Sequence, residues 1–396
     1  MKTREVKLGE VANVKGGKRI PKGIGLINIP NGHPYIRVRD LNNKRLLELD
    51  NSYEYVDNET QKVISKYTVK TGDVVLSIVG TIGLVAIVGR TLDGANLTEN
   101  CVKLSSFHGV NRDFLYYYLR SDCGQQEIRC GTVGAVQAKL PIKNIQNIAI
   151  NLPDYTTQER IASLLLSIDR KIELNQKIND NLYDLVNTLY TKLFKDTDCE
   201  MTTVEDYVDC IYSGGTPATS NMAYWNGNLN WLSSGETRNR FVISTEKTIT
   251  QLGADNSSTK SAQKYDIVIA SAGQGFTRGQ TSMLLLNTYI NQSVIVLHAK
   301  KTILPYLFWN LTNRYDDLRA ISDSSSIRGS LTTKMLSKLK ITKAEDSLIL
   351  KFSEFAWSII PQIENNLIEN KRLTDLRDSL LPKLMSGEID VSDIQL

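Results

Sequence analysis

Cysteine, histidine and long apolar runs are all scarce in this chain, and each scarcity closes off a class of function. Its five cysteines, Cys101, Cys123, Cys130, Cys199 and Cys210, are odd in number and never form a C-x-x-C pair. Reduced thiols are expected, not a disulfide or zinc framework. His33, His108 and His298 lie far apart, which suits isolated structural positions better than a catalytic or metal cluster. No apolar run approaches the roughly 20 residues of a membrane span. The opening Met1-Lys-Thr-Arg-Glu-Val has charges where a signal peptide needs apolar residues, so a cytoplasmic protein is expected.

Motifs of enzymes are also wanting. No G-x-x-x-x-G-K-[ST] is present, which excludes a P-loop motor. The glycines of Gly273-Gln-Gly275-Phe-Thr-Arg-Gly279 are misplaced for a dinucleotide fingerprint. Asn151-Leu-Pro-Asp-Tyr155 shares only its ends with the Asn-Pro-Pro-Tyr signature of amino-group DNA methyltransferases, and no glycine-rich cofactor loop precedes it. Glu369-Asn-Lys371 has the tail of a nuclease motif but sits in a helical stretch, where it reads as a charged face. Ser/His/Asp and Cys/His constellations cannot be assembled from the scattered residues. A chain that binds, without catalysis, cofactor or metal of its own, is expected.

What the chain does have is a duplication. Ser167, Ile168, Ile172, Glu173, Asn175, Asn179, Leu182, Asp184, Leu185, Leu189, Lys192 and Leu193 recur 191 positions later, from Ser358 and Ile359 through Asn366, Asn370 and Leu373 to Leu384. With small gaps the repeat extends outward. Gly16-Gly17 matches Gly214-Gly215, and Tyr35-Ile-Arg-Val-Arg matches Trp231-Leu-Ser-Ser. Gly72-Asp-Val-Val-Leu-Ser matches Tyr265-Asp-Ile-Val-Ile-Ala, and Glu99-Asn-Cys-Val-Lys-Leu matches Gln292-Ser-Val-Ile-Val-Leu. Phe114-Leu-Tyr-Tyr-Tyr-Leu matches Tyr306-Leu-Phe-Trp-Asn-Leu, a short helix by its pattern. Each half is therefore a mixed α+β unit of short strands punctuated by Gly and Asn.

A long helix closes each half. Steps of three and four put Ile161, Leu164 or Leu165, Ile168, Ile172, Asn175, Asn179, Leu182, Leu185, Leu189 and Leu193 on one stripe. Phe352, Phe355, Ile359, Ile363, Asn366, Asn370, Leu373, Leu376, Leu380 and Leu384 repeat it. Thr156 or Thr157 is the expected N-cap of the first helix, after Pro153. At about 1.5 Å per residue, roughly 38 residues span about 57 Å, more than a small domain's width. Two asparagines at matching places in each stripe suggest that the helices face one another, or a partner; facing one another, they would fix register through the pairs Asn175–Asn366 and Asn179–Asn370. Pro361, which replaces Arg170, is expected to kink the second helix or start it afresh. Ala344-Glu-Asp-Ser departs from the first copy and leaves the start of that helix open.

Charge is unevenly spread. Residues 1–156 hold 21 Lys+Arg against 15 Asp+Glu, whereas 346–396 hold 5 against 9. Within 13–45, Lys15, Lys18, Arg19, Lys22, Arg37, Arg39, Lys44 and Arg45 face one acid, Asp40. Such a patch attracts polyanions, although a solvated basic loop has the same composition. The loops between repeated strands differ between halves. Lys18, Arg19 and Lys22 give way to Thr216, Thr219 and Asn221; Arg37 and Arg39 to Ser233, Ser234, Arg238 and Arg240; Thr81 to Gln274, Thr277 and Arg278. With Lys15 and Arg328, these are the candidate DNA-contacting residues, since Arg pairs with guanine, Asn and Gln with adenine, and Ser or Thr with several edges or phosphates. Ordinary turn chemistry would favour many of the same residue types.

The ordered cues Asn151-Leu-Pro…Gln158-Glu-Arg-Ile, Ser77-Ile-Val-Gly-Thr-Ile-Gly83, Trp225-Asn-Gly-Asn-Leu-Asn-Trp231 and Leu380-Leu-Pro-Lys-Leu-Met-Ser-Gly387-Glu-Ile span the chain. In them it resembles the specificity subunits of Type I restriction–modification systems. The resemblance implies an α+β fold: two pseudo-symmetric target recognition domains (1–156 and 196–345) separated by an antiparallel coiled coil of two long helices (157–195 and 346–396). Its seam would include Ile168, Ile172, Asn175, Asn179, Leu182, Leu189, Ile359, Ile363, Asn366, Asn370, Leu373 and Leu380. It also implies a bipartite double-stranded DNA target, two methyltransferase subunits and two restriction/translocase subunits. S-adenosylmethionine, ATP and Mg²⁺ would belong to those partners, with no membrane involved. A coiled-coil adaptor with two peptide-binding heads is the alternative.

Overall fold

The computed structural model describes residues 3–41, 44–134, 136–194, 200–273, 275–323 and 329–391. It divides into two compact units, Met1–Lys171 with Leu373–Leu396, and Ile172–Arg372.

In the first unit, Thr3–Lys7 pairs antiparallel with Ala149–Pro153. A five-stranded sheet runs in the order Asn13–Gly16, Cys101–Ser105, Val74–Ser77, Val85–Val88, Leu46–Leu47. Its central strands are buried throughout, which is why they read as unbroken Val/Ile/Leu runs and not as an alternation. A three-stranded sheet holds Glu54–Tyr55, Pro34–Ile36 and Asn96–Leu97. The helix Arg112–Arg120 is capped by Asn111, and all of Phe114 to Leu119 is buried. Tyr116, Tyr117, Ile161, Leu165 and Leu384 share one apolar cluster with the sheet.

The second unit repeats the plan. Its five-stranded sheet runs Cys210–Ser213, Val294–His298, Ile267–Ala270, Thr281–Leu284, Phe241–Val242. A four-stranded sheet holds Lys247–Ile249, Trp225–Leu232, Thr288–Ile290 and Lys260–Ala262. Helix Leu304–Thr312 stands where Arg112–Arg120 does, with Phe308 and Trp309 fully buried. Even the turn before the central strand recurs. Gly72 has φ +86°, and Tyr265, at the matching place, holds φ +79° despite its side chain, a costly conformation for a residue with a Cβ.

The strand registers adjust one sequence match. Lys15 pairs with Lys103 and Tyr212 with Val296 at the same rung, so Gly17 corresponds to Gly214 and Lys18 to Gly215. The expected pairing of Gly16-Gly17 with Gly214-Gly215 is off by one. Space is the cause. A Cβ on Gly17 would collide with the carbonyl oxygens of Thr98 and Leu97, and one on Gly214 with that of Ile290, whereas Gly16 has room.

The first long helix runs Tyr155–Phe194. Asp154, not Thr156 or Thr157, caps it: its carboxylate accepts from Thr157 N (3.0 Å) and Thr157 Oγ1 (2.6 Å). These bonds hold Asp154 below its usual pKa. The C-terminal long helix runs Asp346–Ser386 without interruption through Pro361. Pro361 lies on an exposed face while Ala356, Ile360 and Ile363 are buried beside it. That packing carries the helix past the bond proline cannot donate. Cys101, Cys123, Cys130 and Cys210 are free thiols, and Cys199 lies outside the described residues.

Candidate nucleic-acid interface

In the first unit, the strand Pro34–Ile36 leads into a 3₁₀ turn, Val38–Leu41. Buried Asp40 closes it by accepting from Arg37 N at 2.7 Å. Burial raises the Asp40 pKa and lowers that of Arg37, where the Arg39 charge adds to the effect. Both guanidiniums bind Glu54, that of Arg39 at 2.7 Å. Arg39 also donates to Ser52 O at 3.1 Å. The two arginines are thus held in place, half of the Arg39 side chain (55%) remaining exposed. Arg19 is exposed and pairs with Glu99 at 3.1 Å. The Lys18 ammonium lies 5.5 Å from the Tyr67 ring centre. Lys15, Lys22 and Thr81 are exposed. Lys15 lines a cleft with Lys66, Tyr67, Leu97, Lys103 and Ile142.

In the second unit the matching turn, Ser234–Arg238, is closed by Glu236, which accepts from Ser233 N (2.7 Å) and Ser233 Oγ (3.0 Å). Glu236 does here what Asp40 does in the first unit. Asn221 caps a 3₁₀ turn through Ala223 N at 3.1 Å, and Thr216 donates to Gln292. Arg238 donates to Gly235 O at 2.8 Å. The Arg240 guanidinium sits 4.1 Å from the Tyr183 ring centre, with Asp180 at 3.7 Å. Thr219 is exposed; Ser234 and Thr277 are half-buried. Arg278 differs from the others. Only 7% of it is exposed, and it binds Asp323 and Gly329 O, so its guanidinium braces the loop from inside. At the tip of that loop Phe276 is 82% exposed, its carbonyl held by Tyr315 Oη at 3.0 Å. A single apolar residue among glycines gave no periodicity by which to single it out. Gln274 and Arg328 lie outside the described residues.

The helix seam is antiparallel within each unit. In the second, Asn175 Nδ2 donates to Asn370 Oδ1 at 2.9 Å and to Glu369 at 2.7 Å, and Asn366 Nδ2 donates to Asn179 Oδ1 at 2.8 Å. The expected pairs, Asn175 with Asn366 and Asn179 with Asn370, are exchanged, as opposite helix directions require. Spare amide hydrogens go to backbone: Asn179 to Ile363 O (3.2 Å), Asn370 to Ile172 O (3.3 Å). Ile168, Ile172 and Ile363 are buried; Leu182, Leu189, Ile359 and Leu380 pack at the margin, and Leu373 is half-buried. Leu185 and Leu376, expected on the stripe, are 51% and 47% exposed. In the first unit Asp169 accepts from Arg377 Nη1 (2.8 Å) and Tyr117 Oη (2.6 Å).

Among the described residues no group of His, Cys, Asp and Glu could hold a metal ion, and no helix is long and apolar enough to cross a membrane.

Comparison with known proteins gives this geometry a context. The chain is 23% identical over 341 residues to the Type I restriction enzyme HindI specificity subunit of Haemophilus influenzae, covering 66% of this chain and 73% of that protein. It is 21% identical over 389 residues to the MjaIX specificity subunit of Methanocaldococcus jannaschii, covering 91% and 88%. The crystal structure of a Type I restriction–modification S subunit from M. genitalium shares the fold, with a TM-score of 0.60, 16% identity, and 97% and 96% of the two chains covered. The family model described as "Type I restriction modification DNA specificity domain" matches twice, at residues 2–183 and 197–345. With both halves matched by one model, the protein belongs to the Type I restriction–modification DNA specificity family.

Proposed function

We propose that this non-catalytic specificity subunit reads a split, asymmetric duplex target, one part with each domain. The recognition domains would be residues 1–156 and 196–345, and the helices 157–195 and 346–396 would set the gap between half-sites. The chain would scaffold two methyltransferase and two restriction/translocase subunits in the cytoplasm, leaving S-adenosylmethionine, ATP, Mg²⁺ and base flipping to them. One observation carries the reading: the two domains share a strand order but differ in the side chains of their loops. A common scaffold with different readout residues suits two different short sequences. In the first domain Arg37 and Arg39, positioned by Glu54, would be the principal base readers.

Selection of bound duplexes from a random pool, followed by sequencing, tests this. We expect a two-part motif with a constant gap, and binding that weakens steeply with salt. A pool without enrichment, with methyltransferase subunits present, would count against DNA reading. Binding insensitive to salt would favour a peptide-binding adaptor.

A further inference from the structure

The strand registers reveal an exchange between the two domains. Lys15 and Tyr212 occupy the same rung of their sheets, opposite Lys103 and Val296. Tyr67 and Lys260 also correspond. Each precedes a residue, Thr68 or Ser261, that meets Asn96 or Tyr289 on the matching strand. The offset of 193 that relates them also relates Asp73 to Asp266. Both aspartates accept from the backbone N–H three residues earlier, Lys70 at 2.9 Å and Gln263 at 2.7 Å. One domain thus has Lys15 and Tyr67 where the other has Tyr212 and Lys260. The lysine and the tyrosine have traded places; in the first domain Lys15 and Tyr67 line one cleft, and the ammonium nearest the Tyr67 ring is that of Lys18.

The surroundings point to an anion. In the second domain the Lys260 ammonium lies 5.7 Å from the Tyr212 ring centre. In the first, Lys15 and Tyr67 line one cleft of about 270 Å³, together with Lys66 and Lys103 and with no acidic residue in its wall. Lys15 stands directly across the strand pair from Lys103, and like charges so placed repel. Asp73 neutralises Lys103 at 3.2 Å, but among the described residues neither Lys15 nor Lys66 makes an ion pair. Several other basic residues of the domain, Arg19, Arg37, Arg39, Lys44 and Lys62, each hold a carboxylate.

We propose that this lysine–tyrosine pair is a backbone-phosphate contact kept by both domains, with Lys66 as a second cation in the first. The occupant is a phosphodiester of duplex DNA, whose sugar the exposed Ile142 side chain at the cleft wall can meet. The inference rests on the DNA reading above and divides its labour: the loops discriminate bases, and the pair fixes the domain on the duplex.

The test uses the full chain with its co-purifying subunits, on the selected target and on unrelated duplexes, between about 50 and about 200 mM salt. The double variant Lys15→Ala, Lys66→Ala should bind every duplex several-fold more weakly. The slope of log K against log salt should flatten by about 0.9 for each phosphate no longer neutralised, with the selected motif unchanged. Lys260→Ala should act alike in the second domain, and Lys15→Arg should keep the wild-type slope. Thermal melting checks that the variants are folded. Wild-type affinity and slope in the double variant would overturn the proposal, as would a motif altered in one half-site. Displacement of DNA by inorganic phosphate at constant ionic strength would assign the cleft to a free anion and overturn it too. A wild-type complex that selects no duplex would instead overturn the DNA reading itself.

Discussion

Asp169, with 5% of its side chain exposed, shows how a single residue fastens a long helix to a domain. It lies on the first long helix and receives hydrogen bonds from Arg377 on the C-terminal helix and Tyr117 on the helix Arg112–Arg120. Burial pulls the Arg377 pKa down, but the hydrogen bonds and negative charges of Asp169 and Asp378 together outweigh it and raise the value, so the guanidinium stays charged. Without Asp169, Arg377 keeps Asp378 at 2.8 Å, but Tyr117 Oη and Arg377 Nη1 each lose their acceptor, and leaving a buried donor unsatisfied costs about 1–3 kcal/mol. Asp169→Ala should therefore lower the stability of the chain by about that amount in denaturant titrations. Asp169→Leu combined with Arg377→Met should recover part of it, because an apolar pair of similar volume leaves no charge behind. A loss under about 1 kcal/mol for the single variant would mean that water already solvates the pair.

At the scale of the element, the heptad pattern made both long helices legible, and it placed Ile161, Leu165, Ile168, Ile172, Asn175 and Asn179 correctly on the buried face. Beyond Asn179 the buried positions are Tyr183, Val186, Tyr190 and Phe194, one residue along from the leucines the repeat suggested. A step of four replaces a step of three there, as a 3.6-residue helix needs if it is to keep facing a fixed core. The core is aromatic: Tyr190 and Phe194 pack on Tyr306 and Phe352. The leucines shared by the two copies mark the margin of that face, where Leu182, Leu189 and Leu193 pack half-buried and only Leu185 is exposed. The loops were less legible for a different reason. That Glu54 holds Arg37 and Arg39, or that Arg278 is buried against Asp323, depends on contacts distant along the chain that no local pattern encodes. Pro361 makes the element testable. It is exposed and gives the helix no N–H at that position, and proline costs up to about 3 kcal/mol against alanine inside a helix. Pro361→Ala should raise the denaturation midpoint by roughly 1–3 kcal/mol equivalent; a lower midpoint would mean that the helix bends there and needs the proline.

For the whole molecule the question is whether the helices measure distance. Asn175 meets Asn370 and Asn179 meets Asn366, so the stretches 173–179 and 366–372 face each other within the antiparallel seam. Deleting both removes one heptad from each helix while keeping the remaining apolar faces in register. At about 1.5 Å per residue the pair shortens by roughly 10.5 Å, the length of about three base pairs of duplex at 3.4 Å each. If the helices set the gap, the duplexes selected by the shortened chain should keep both half-sites and lose about three base pairs between them. A matched insertion of one heptad should add as many. The insertion also guards against a deletion that merely unfolds the seam, since it removes no asparagine pair. Should both altered chains melt cooperatively, bind DNA and still select the original gap, the spacing would have to come from the partner subunits, and the helices would be left with a scaffolding role alone.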